Sequence, residues 1–271
     1  MYHLAWMLGE FGYRVVAADL DPQANLTIYF LAEDELEGLW QVGEVNDVQP
    51  STVYGSLSPL SRGIGDVVRP RLWKVTDDVG LIPGDLRLSA SEDELSSQWS
   101  ECLDGKERAF RVISAFCRMS DMAAQGSVAD VVLVDVGPNF GAINRAALVA
   151  SDHVLIPLAP DLFSVQGLVN LGPRLREWRR QWAERLPKNP AQGGLPLPTG
   201  AMRPTGYVLL EHRVRLGSPV TAYRRWMDRI PGDYQRAVLG RPSADPVPLT
   251  IESDPNCLAQ LKHYRSLAAM A

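Results

Sequence analysis

The sequence predicts an α/β protein whose doubly wound, mostly parallel sheet has helices on its faces. Two observations lead to this fold class. Short apolar runs rich in β-branched residues, such as V-V-A-A-D at 15–19 and V-V-L-V-D at 131–135, are typical of strands buried on both faces. These runs alternate with longer stretches of helical periodicity, and strand–helix alternation is typical of parallel sheets.

The predicted elements follow this alternation along the chain. A helix is expected over the first eleven residues, where Leu4, Leu8 and Phe11 recur at helical spacing before Gly12, and the strand at 13–19 follows it. A helical stretch at 107–126 precedes the strand at 131–136, and a helix of small residues at 141–152 follows that strand. Two more strands are expected at 153–160 (H-V-L-I-P-L-A-P) and at 205–211 (T-G-Y-V-L-L-E).

We expect a single domain over residues 1–271, with two segments that depart from the alternation. Residues 31–73 are rich in Gly, Ser, Pro and acidic residues and predict an irregular insertion of short helices and loops. Residues 186–206 are dense in proline and glycine and predict a flexible excursion between a helix and a strand.

Composition limits the classes of function. The net charge of −5 and pI near 5.4 argue against a protein that covers nucleic acid with its whole surface, so any DNA contact is expected to be a local patch. The three cysteines lack metal-ligand or redox spacing, which suits a reducing cytoplasm. No apolar run approaches the roughly 20 residues of a membrane span, so no membrane partner is expected.

Three aspartates end two of the predicted strands. Asp19 and Asp21 follow the first strand and Asp135 ends the strand at 131–136. Because the carboxyl ends of parallel strands share one edge of the sheet, these carboxylates are expected to converge where a hard cation and phosphates would bind. The alternative is structural, since an aspartate after a strand is often a turn former or a helix N-cap.

The stretches R-V-V-A-A-D-L-D-P-Q-A-N-L-T, G-L-I-P-G-D-L-R-L-S and V-V-L-V-D-V-G-P-N-F-G resemble the ParA/Soj family of chromosome and plasmid partition ATPases. With MinD, this family belongs to the deviant Walker-type P-loop proteins. The resemblance extends over almost the whole chain in the same order, and it implies ATP and Mg²⁺ as cofactors.

The resemblance also implies roles for individual residues. Asp21 corresponds to the catalytic aspartate that orients or activates the attacking water beside the nucleotide. Asp135 corresponds to the Walker B residue that holds Mg²⁺ through water, and Asp19 would support the metal site from behind. Gly137 and Pro138 lie in the nucleotide-binding loop, where D-V-G-P replaces the usual D-T-P-P, and glycine is expected to loosen this loop.

One family motif is absent from the 271 residues. The phosphate-binding K-G-G-x-G-K-T does not occur, and the Gly105–Lys106 pair, followed by Glu107, cannot replace it. We therefore expect a longer gene product. Its additional first strand would lie in the middle of the sheet, beside the strands that end at Asp19 and Asp135. Another strand and a final helix are likewise expected to follow C-L-A-Q-L-K-H-Y-R-S-L-A-A-M-A.

The family's partners follow from the same resemblance: an ATP-dependent homodimer, non-specific DNA and a centromere-binding ParB-like protein, in the cytoplasm at the nucleoid. The DNA-binding candidates are Arg213, Arg215, Arg224 and Arg225. A second arginine group at 174–180 is better explained as the solvated flank of Trp178 and Trp182. The alternative function is a non-catalytic truncated remnant or interaction module that keeps a ParA-like surface and binds nucleotide weakly or not at all.

Overall fold

The computed structural model describes residues 1–41, 50–191, 193–215, 218–219, 221–241 and 249–263. These residues form two compact units. The first contains residues 1–151 and 182–200, and the second contains residues 152–181 and the described residues from 201 onward. That the chain forms one domain over residues 1–271 stays a prediction.

The first unit is built on a four-stranded sheet of β1 (Val15–Asp19), β2 (Trp73–Lys74), β3 (Val79–Ile82) and β4 (Val131–Asp135). The strand order across the sheet is β2, β3, β1, β4. Strand β1 pairs in parallel with both β3 and β4, whereas β2 pairs antiparallel with β3. The register of β1 and β4 places Asp19 directly opposite Asp135.

Strand β1 is the centre of this unit, since all five of its residues are buried. Ala17 of β1 and Leu81 of β3 pack against Leu26 and Leu36, from the two helices that follow β1, and against Leu31 between these helices. Burial of apolar side chains on both faces is what the uninterrupted apolar sequence of β1 predicts.

Eight helices of the described chain lie in the first unit. The predicted helix at 107–126 forms as two helices that meet at Ser114. The region 31–73 contains two helices of nine residues each, α3 (Glu33–Gln41) and α4 (Val53–Ser61). A 3₁₀ segment, Leu86–Ser91, leads directly into the fifth helix. The helices are α1 (Tyr2–Glu10), α2 (Asn25–Phe30), α3 (Glu33–Gln41), α4 (Val53–Ser61), α5 (Glu92–Glu101), α6 (Glu107–Ile113), α7 (Ala115–Ser127) and α8 (Ala142–Ala150).

The second unit contains a separate sheet around its longest strand, β6 (Arg203–Arg215). Strands β5 (His153–Leu158) and β8 (Cys257–His263) pair with β6 in parallel, and β7 (Ser218–Pro219) pairs with it antiparallel. The helices are α9 (Leu162–Arg185), whose last residues from Trp182 count with the first unit, α10 (Thr221–Met227) and α11 (Ile230–Asp233).

The α/β class with mostly parallel strands is confirmed. In the described residues, β1 pairs with β3 on one edge and with β4 on the other; the additional first strand expected beside them stays a prediction. The stretch C-L-A-Q-L-K-H forms β8 against β6, and the strand and helix expected to follow it stay a prediction.

The proline- and glycine-rich segment at 186–206 packs against the first unit over part of its length. The indole Nε1 of Trp182 donates a hydrogen bond of 2.9 Å to the carbonyl oxygen of Pro198. Gly200 has a φ of +67°, and a Cβ there would overlap Cδ1 of Trp182. Only glycine therefore fits at this contact.

Within the described part of the chain, we find no helix that has both the length and the apolar character needed to cross a bilayer.

Candidate functional site

Asp19 ends β1 as a fully buried carboxylate that accepts three hydrogen bonds. Its oxygens accept hydrogen bonds from the backbone nitrogen of Thr27 at 2.8 Å, from the Thr27 hydroxyl at 2.7 Å and from the backbone nitrogen of Asp21 at 3.2 Å. Burial raises the pKa of Asp19, and the Thr27 and Asp21 hydrogen bonds partly oppose this. Asp19 thus fastens α2 to the end of β1.

Thr27 connects this hydrogen-bond system to the next strand. Its hydroxyl accepts a 2.7 Å hydrogen bond from the backbone nitrogen of Gly84, in the loop that follows β3. A Cβ at Gly84 would lie 2.9 Å from Cγ of Asp19 and 3.0 Å from Cβ of Ala24. The loops after β1 and β3 are therefore in direct contact.

Asp21 lies in the turn between β1 and α2, with a side chain that is 7% exposed. Its Oδ1 accepts a 3.0 Å hydrogen bond from the backbone nitrogen of Gln23, and its Oδ2 a 3.4 Å bond from Nδ2 of Asn25. Ala24 follows in the left-handed conformation, with a φ of 52°, and α2 begins directly after it. The turn holds the carboxylate in place while leaving it further acceptor positions.

Asp135 completes the acidic cluster. It lies opposite Asp19 in the register, and its backbone carbonyl accepts a 2.9 Å hydrogen bond from Leu20. Burial and then the charge of Asp19 raise its pKa to about 6; the amino group of Met1 opposes this shift and Asp21 adds to it. The three carboxylates therefore share one edge of the sheet, and the start of α1 lies near it.

The loop from β4 to α8 is held by side chains at both ends. Nδ2 of Asn144 donates to the carbonyl oxygens of Gly137, at 2.5 Å, and Asn139, at 2.6 Å. The Glu92 carboxylate accepts hydrogen bonds from the backbone nitrogens of Ala142 and Ile143, at the first turn of α8. That Gly137 loosens this loop stays a prediction; in the structure its carbonyl oxygen accepts the Asn144 hydrogen bond.

Gly137 also lies against the catalytic candidate. A Cβ at this position would lie 3.1 Å from Oδ1 of Asp21, closer than an ordinary van der Waals contact. Glycine in place of the family's proline therefore lets the loop approach Asp21, with Pro138 next in the chain.

The donor set fits Mg²⁺ bound together with phosphate rather than in a protein cage. In the part of the chain that the structure describes, no group of three or more His, Cys, Asp or Glu residues is arranged to enclose a metal. Asp19 already uses its oxygens within the fold, whereas no described donor is hydrogen-bonded to the Asp135 carboxylate. Mg²⁺ commonly takes one or two carboxylates and completes its coordination shell with water and substrate phosphates. Asp135 and the neighbouring Asp21 can supply these carboxylates.

The DNA-binding candidates are only partly described. Arg224 and Arg225 are exposed on α10, and the Arg225 guanidinium lies 5.1 Å from the ring centre of Trp226. Arg213 and Arg215 lie in β6, but their side chains are outside the described part of the structure.

Two of the arginines at 174–180 donate hydrogen bonds to backbone carbonyl groups. Arg179 donates to the carbonyl oxygens of Ala201 and Met202, and Arg176 donates to that of Ala237. Trp178 and Trp182, on the same helix, are buried.

Four residues of the site were not singled out from the sequence: Asn25, Thr27, Glu92 and Asn144. Asn25 and Thr27 belong to the D-L-D-P-Q-A-N-L-T stretch, so a closer look at polar residues after the aspartates could have found them. Glu92 and Asn144 bond to backbone groups that only the fold brings near, and no local sequence pattern marks them.

Comparison with known proteins finds one matching family and several similar proteins. The AAA domain family matches residues 1–187. A putative replication protein A from Rhizobium rhizogenes is 30% identical over 167 residues, which are 61% of this chain and 37% of that protein. The cell division protein PomZ from Myxococcus xanthus is 29% identical over 164 residues, 60% of this chain and 42% of PomZ. The chain thus aligns with less than half of either relative.

Solved structures have the same fold. A protein from Corynebacterium diphtheriae superposes with a TM-score of 0.72 and 27% sequence identity. The match covers 89% of this chain and 83% of the Corynebacterium chain. A plasmid partition protein from Borrelia burgdorferi gives a TM-score of 0.52 at 14% identity, covering 97% and 82%. An ATP complex of a McdA variant from Cyanothece superposes with a TM-score of 0.55 at 16% sequence identity. The match covers 96% of this chain and 75% of the McdA chain. At these lower identities the likeness extends to the fold alone.

Proposed function

Because the chain belongs to the AAA domain family, and within it to the ParA/MinD-like P-loop ATPases, we propose that it works as a partition-type ATPase. In this proposal, ATP binding and hydrolysis control a homodimer's attachment to non-specific DNA and its contact with a ParB-like centromere-binding partner. The protein would act in the cytoplasm, at the nucleoid.

The observation that carries the proposal is the shared position of Asp19, Asp21 and Asp135 at the carboxyl ends of β1 and β4. Three carboxylates held together repel one another, and a divalent cation is the usual way to offset that repulsion. Asp135 would hold Mg²⁺ through water, and bound Mg²⁺ would neutralise charge on the β- and γ-phosphates.

Asp21 is the residue that we assign to the attacking water. Its backbone turn and the Gln23 and Asn25 hydrogen bonds fix its direction, and its remaining oxygen lone pairs can accept a proton of water. Asp19 supports the site from behind by holding α2 and the Gly84 loop through Thr27.

The second candidate function is a non-catalytic interaction module with little nucleotide affinity. None of the 271 residues forms K-G-G-x-G-K-T, whose backbone N–H groups and lysines would bind the phosphates. The two functions differ in what happens once such a loop is supplied at α1, whose start lies close enough to Asp135 to affect its pKa.

The test uses the chain as it stands and a loop-extended chain, in which a strand and a K-G-G-x-G-K-T loop from a partition ATPase precede Met1. We expect the loop-extended chain to hydrolyse ATP, and its Asp21→Ala variant to bind ATP but hydrolyse it about 100-fold more slowly or less. Asp121→Ala, which removes an exposed carboxylate from α7, is the control and should leave the rate unchanged.

Two results would contradict the proposal. Full-rate hydrolysis by the Asp21→Ala variant would remove Asp21 from catalysis. Failure of both chains to bind ATP would favour the interaction module.

A further inference from the structure

The loop between β4 and α8, residues 136–141, is fastened to the protein by two side chains that no sequence motif marks. Asn144 bonds to carbonyl groups inside the loop, and Glu92 bonds to the first backbone nitrogens after it. We infer that Asn144 and Glu92 are positioning residues that hold Gly137 against Asp21, and we call this pair the latch.

The first half of the latch is a buried amide with two carbonyl partners. Asn144 is 2% exposed, and both partners of its Nδ2, the carbonyl oxygens of Gly137 and Asn139, can only accept hydrogen bonds. A flipped amide would place oxygen against oxygen, so the orientation of this side chain is fixed by its partners.

The orientation of Asn144 leaves its other polar atom unsatisfied. Oδ1 of Asn144 is buried and has no hydrogen-bond partner among the described residues. A residue that served only to fill space would be better replaced by an apolar one, because an unpaired buried oxygen is unfavourable. The two donated hydrogen bonds therefore account for the presence of asparagine here.

The second half of the latch is a carboxylate that caps a helix from a distance. Helix α8 begins after Gly141, which has no side chain to serve as an N-cap, and Glu92 of α5 accepts the hydrogen bonds of Ala142 and Ile143 instead. A negative charge at this end of α8 is also favoured by the helix dipole. Gly141 permits the approach, since a Cβ there would lie 2.5 Å from Oε1 of Glu92.

The latch closes a ring of contacts among the three loops at the acidic edge. The loop after β3 contacts Asp19 through Gly84 and Thr27, and continues through the 3₁₀ segment to Glu92. Glu92 holds the start of α8, and Gly137, before α8, lies against Asp21. The proposal therefore expects a change in one of these loops to affect the other two through these contacts.

The effect of the latch on catalysis rests on the proposed function. In a partition-type ATPase, the latch would set how the Gly137 loop and Asp21 face a bound phosphate. The existence of the latch does not need that function, so the two are tested separately. Amide hydrogen exchange of the ligand-free, 271-residue chain tests the latch, and ATP hydrolysis by the loop-extended chain tests its consequence.

Asn144→Asp is the main variant, because it keeps the side-chain volume and removes the donor. We expect the Gly141 amide, which donates to Oδ1 of Asn139, to exchange about tenfold faster or more. We also expect faster exchange at Gln23, whose amide donates to Asp21 in a different loop. A residue that only supported its own loop would leave Gln23 unchanged.

Glu92→Gln is the second variant, and it is informative even if the first one fails to fold. It keeps one acceptor oxygen and loses the charge, so exchange at Ala142 and Ile143 should rise by a smaller factor than in Glu92→Ala. Ser151→Ala, which removes a 2.8 Å hydrogen bond to the Ala147 carbonyl at the far end of α8, is the matched control.

The outcomes are separable. Faster exchange at Gly141 and Gln23 in Asn144→Asp, and not in Ser151→Ala, supports the latch. Unchanged exchange at Gln23 in both Asn144→Asp and Glu92→Ala overturns it. If exchange rises but hydrolysis by the loop-extended Asn144→Asp chain stays at the full rate, the loop is latched but its position does not matter to catalysis, and the positioning role is overturned.

Discussion

Gly84 shows at a single residue how closely the loops of the acidic edge approach each other. A Cβ there would meet Cγ of Asp19 at 2.9 Å and Cβ of Ala24 at 3.0 Å. Asp19 cannot retreat without breaking its hydrogen bonds to Thr27, and Ala24 is held in the left-handed conformation. Position 84 therefore requires glycine.

We predict that Gly84→Ala lowers the free energy of unfolding by about 1–3 kcal/mol, because the added methyl group overpacks a fixed contact. The control is Gly167→Ala in α9, where a Cβ meets no atom within 4 Å and alanine should stabilise the helix by about 0.5–1 kcal/mol. Urea unfolding of both variants checks this. Equal effects of the two substitutions would show that the Gly84 contact is not tight.

The sequence predicts the site aspartates but not their supports. Asp19, Asp21 and Asp135 can be found because a carboxylate directly after a buried strand is a local pattern. Glu92 and Asn144 bond to backbone groups more than 40 residues away or to carbonyls whose direction depends on the loop. Such partners are set by tertiary structure, and a local pattern does not contain them.

At the scale of elements, Trp182 fastens the proline- and glycine-rich segment to the first unit. The indole is fully buried, its ring centre lies 5.8 Å from that of Trp99 in a stacked arrangement, and its Nε1 donates to the Pro198 carbonyl. Both the packing and the hydrogen bond oppose release of residues 193–200.

We predict that Trp182→Phe speeds tryptic cleavage after Lys188 by about tenfold, because it removes the Pro198 hydrogen bond and part of the stacked area. Trp6→Phe is the matched control. Nε1 of Trp6 is buried without a partner among the described residues, so its loss should not destabilise the protein. Faster cleavage in Trp6→Phe than in Trp182→Phe would show that the Pro198 hydrogen bond does not hold the segment.

The strands that the sequence predicts are those with strong local signals. V-V-A-A-D, V-V-L-V-D, H-V-L-I-P-L and the start of β6 are apolar and β-branched. Strand β3 has only four residues, one of them glycine, and β8 reads C-L-A-Q-L-K-H without a β-branched residue. Pairing with a neighbouring strand stabilises both of them: β3 pairs with β1, and β8 pairs with β6.

At the scale of the whole molecule, the negative net charge restricts where the proposed DNA-binding surface can lie. The chain carries a net charge of −5, so attraction to phosphates has to come from a local excess of arginine. Arg224 and Arg225 are exposed neighbours on α10 and belong to the group with Arg213 and Arg215.

We predict that replacing Arg224 and Arg225 together by alanine weakens binding to any DNA sequence and reduces the slope of log affinity against log salt by about 2. Fluorescence anisotropy with duplex DNA over a range of KCl concentrations measures both. The matched control replaces Arg62 and Arg69, two exposed arginines of the first unit, and should change neither. An unchanged salt slope in the Arg224/Arg225 variant would place the DNA-binding surface elsewhere.

The most direct test of the whole account is the Mg²⁺ dependence of ATP binding by the loop-extended chain, measured with a fluorescent ATP analogue. If Asp135 and its neighbours form the cation side of the site, Mg²⁺ should tighten binding about tenfold or more. Asp135→Asn should abolish that gain while Asp121→Asn keeps it. An Mg²⁺ effect of the same size in Asp135→Asn would contradict the assignment of the acidic edge to the metal and the triphosphate.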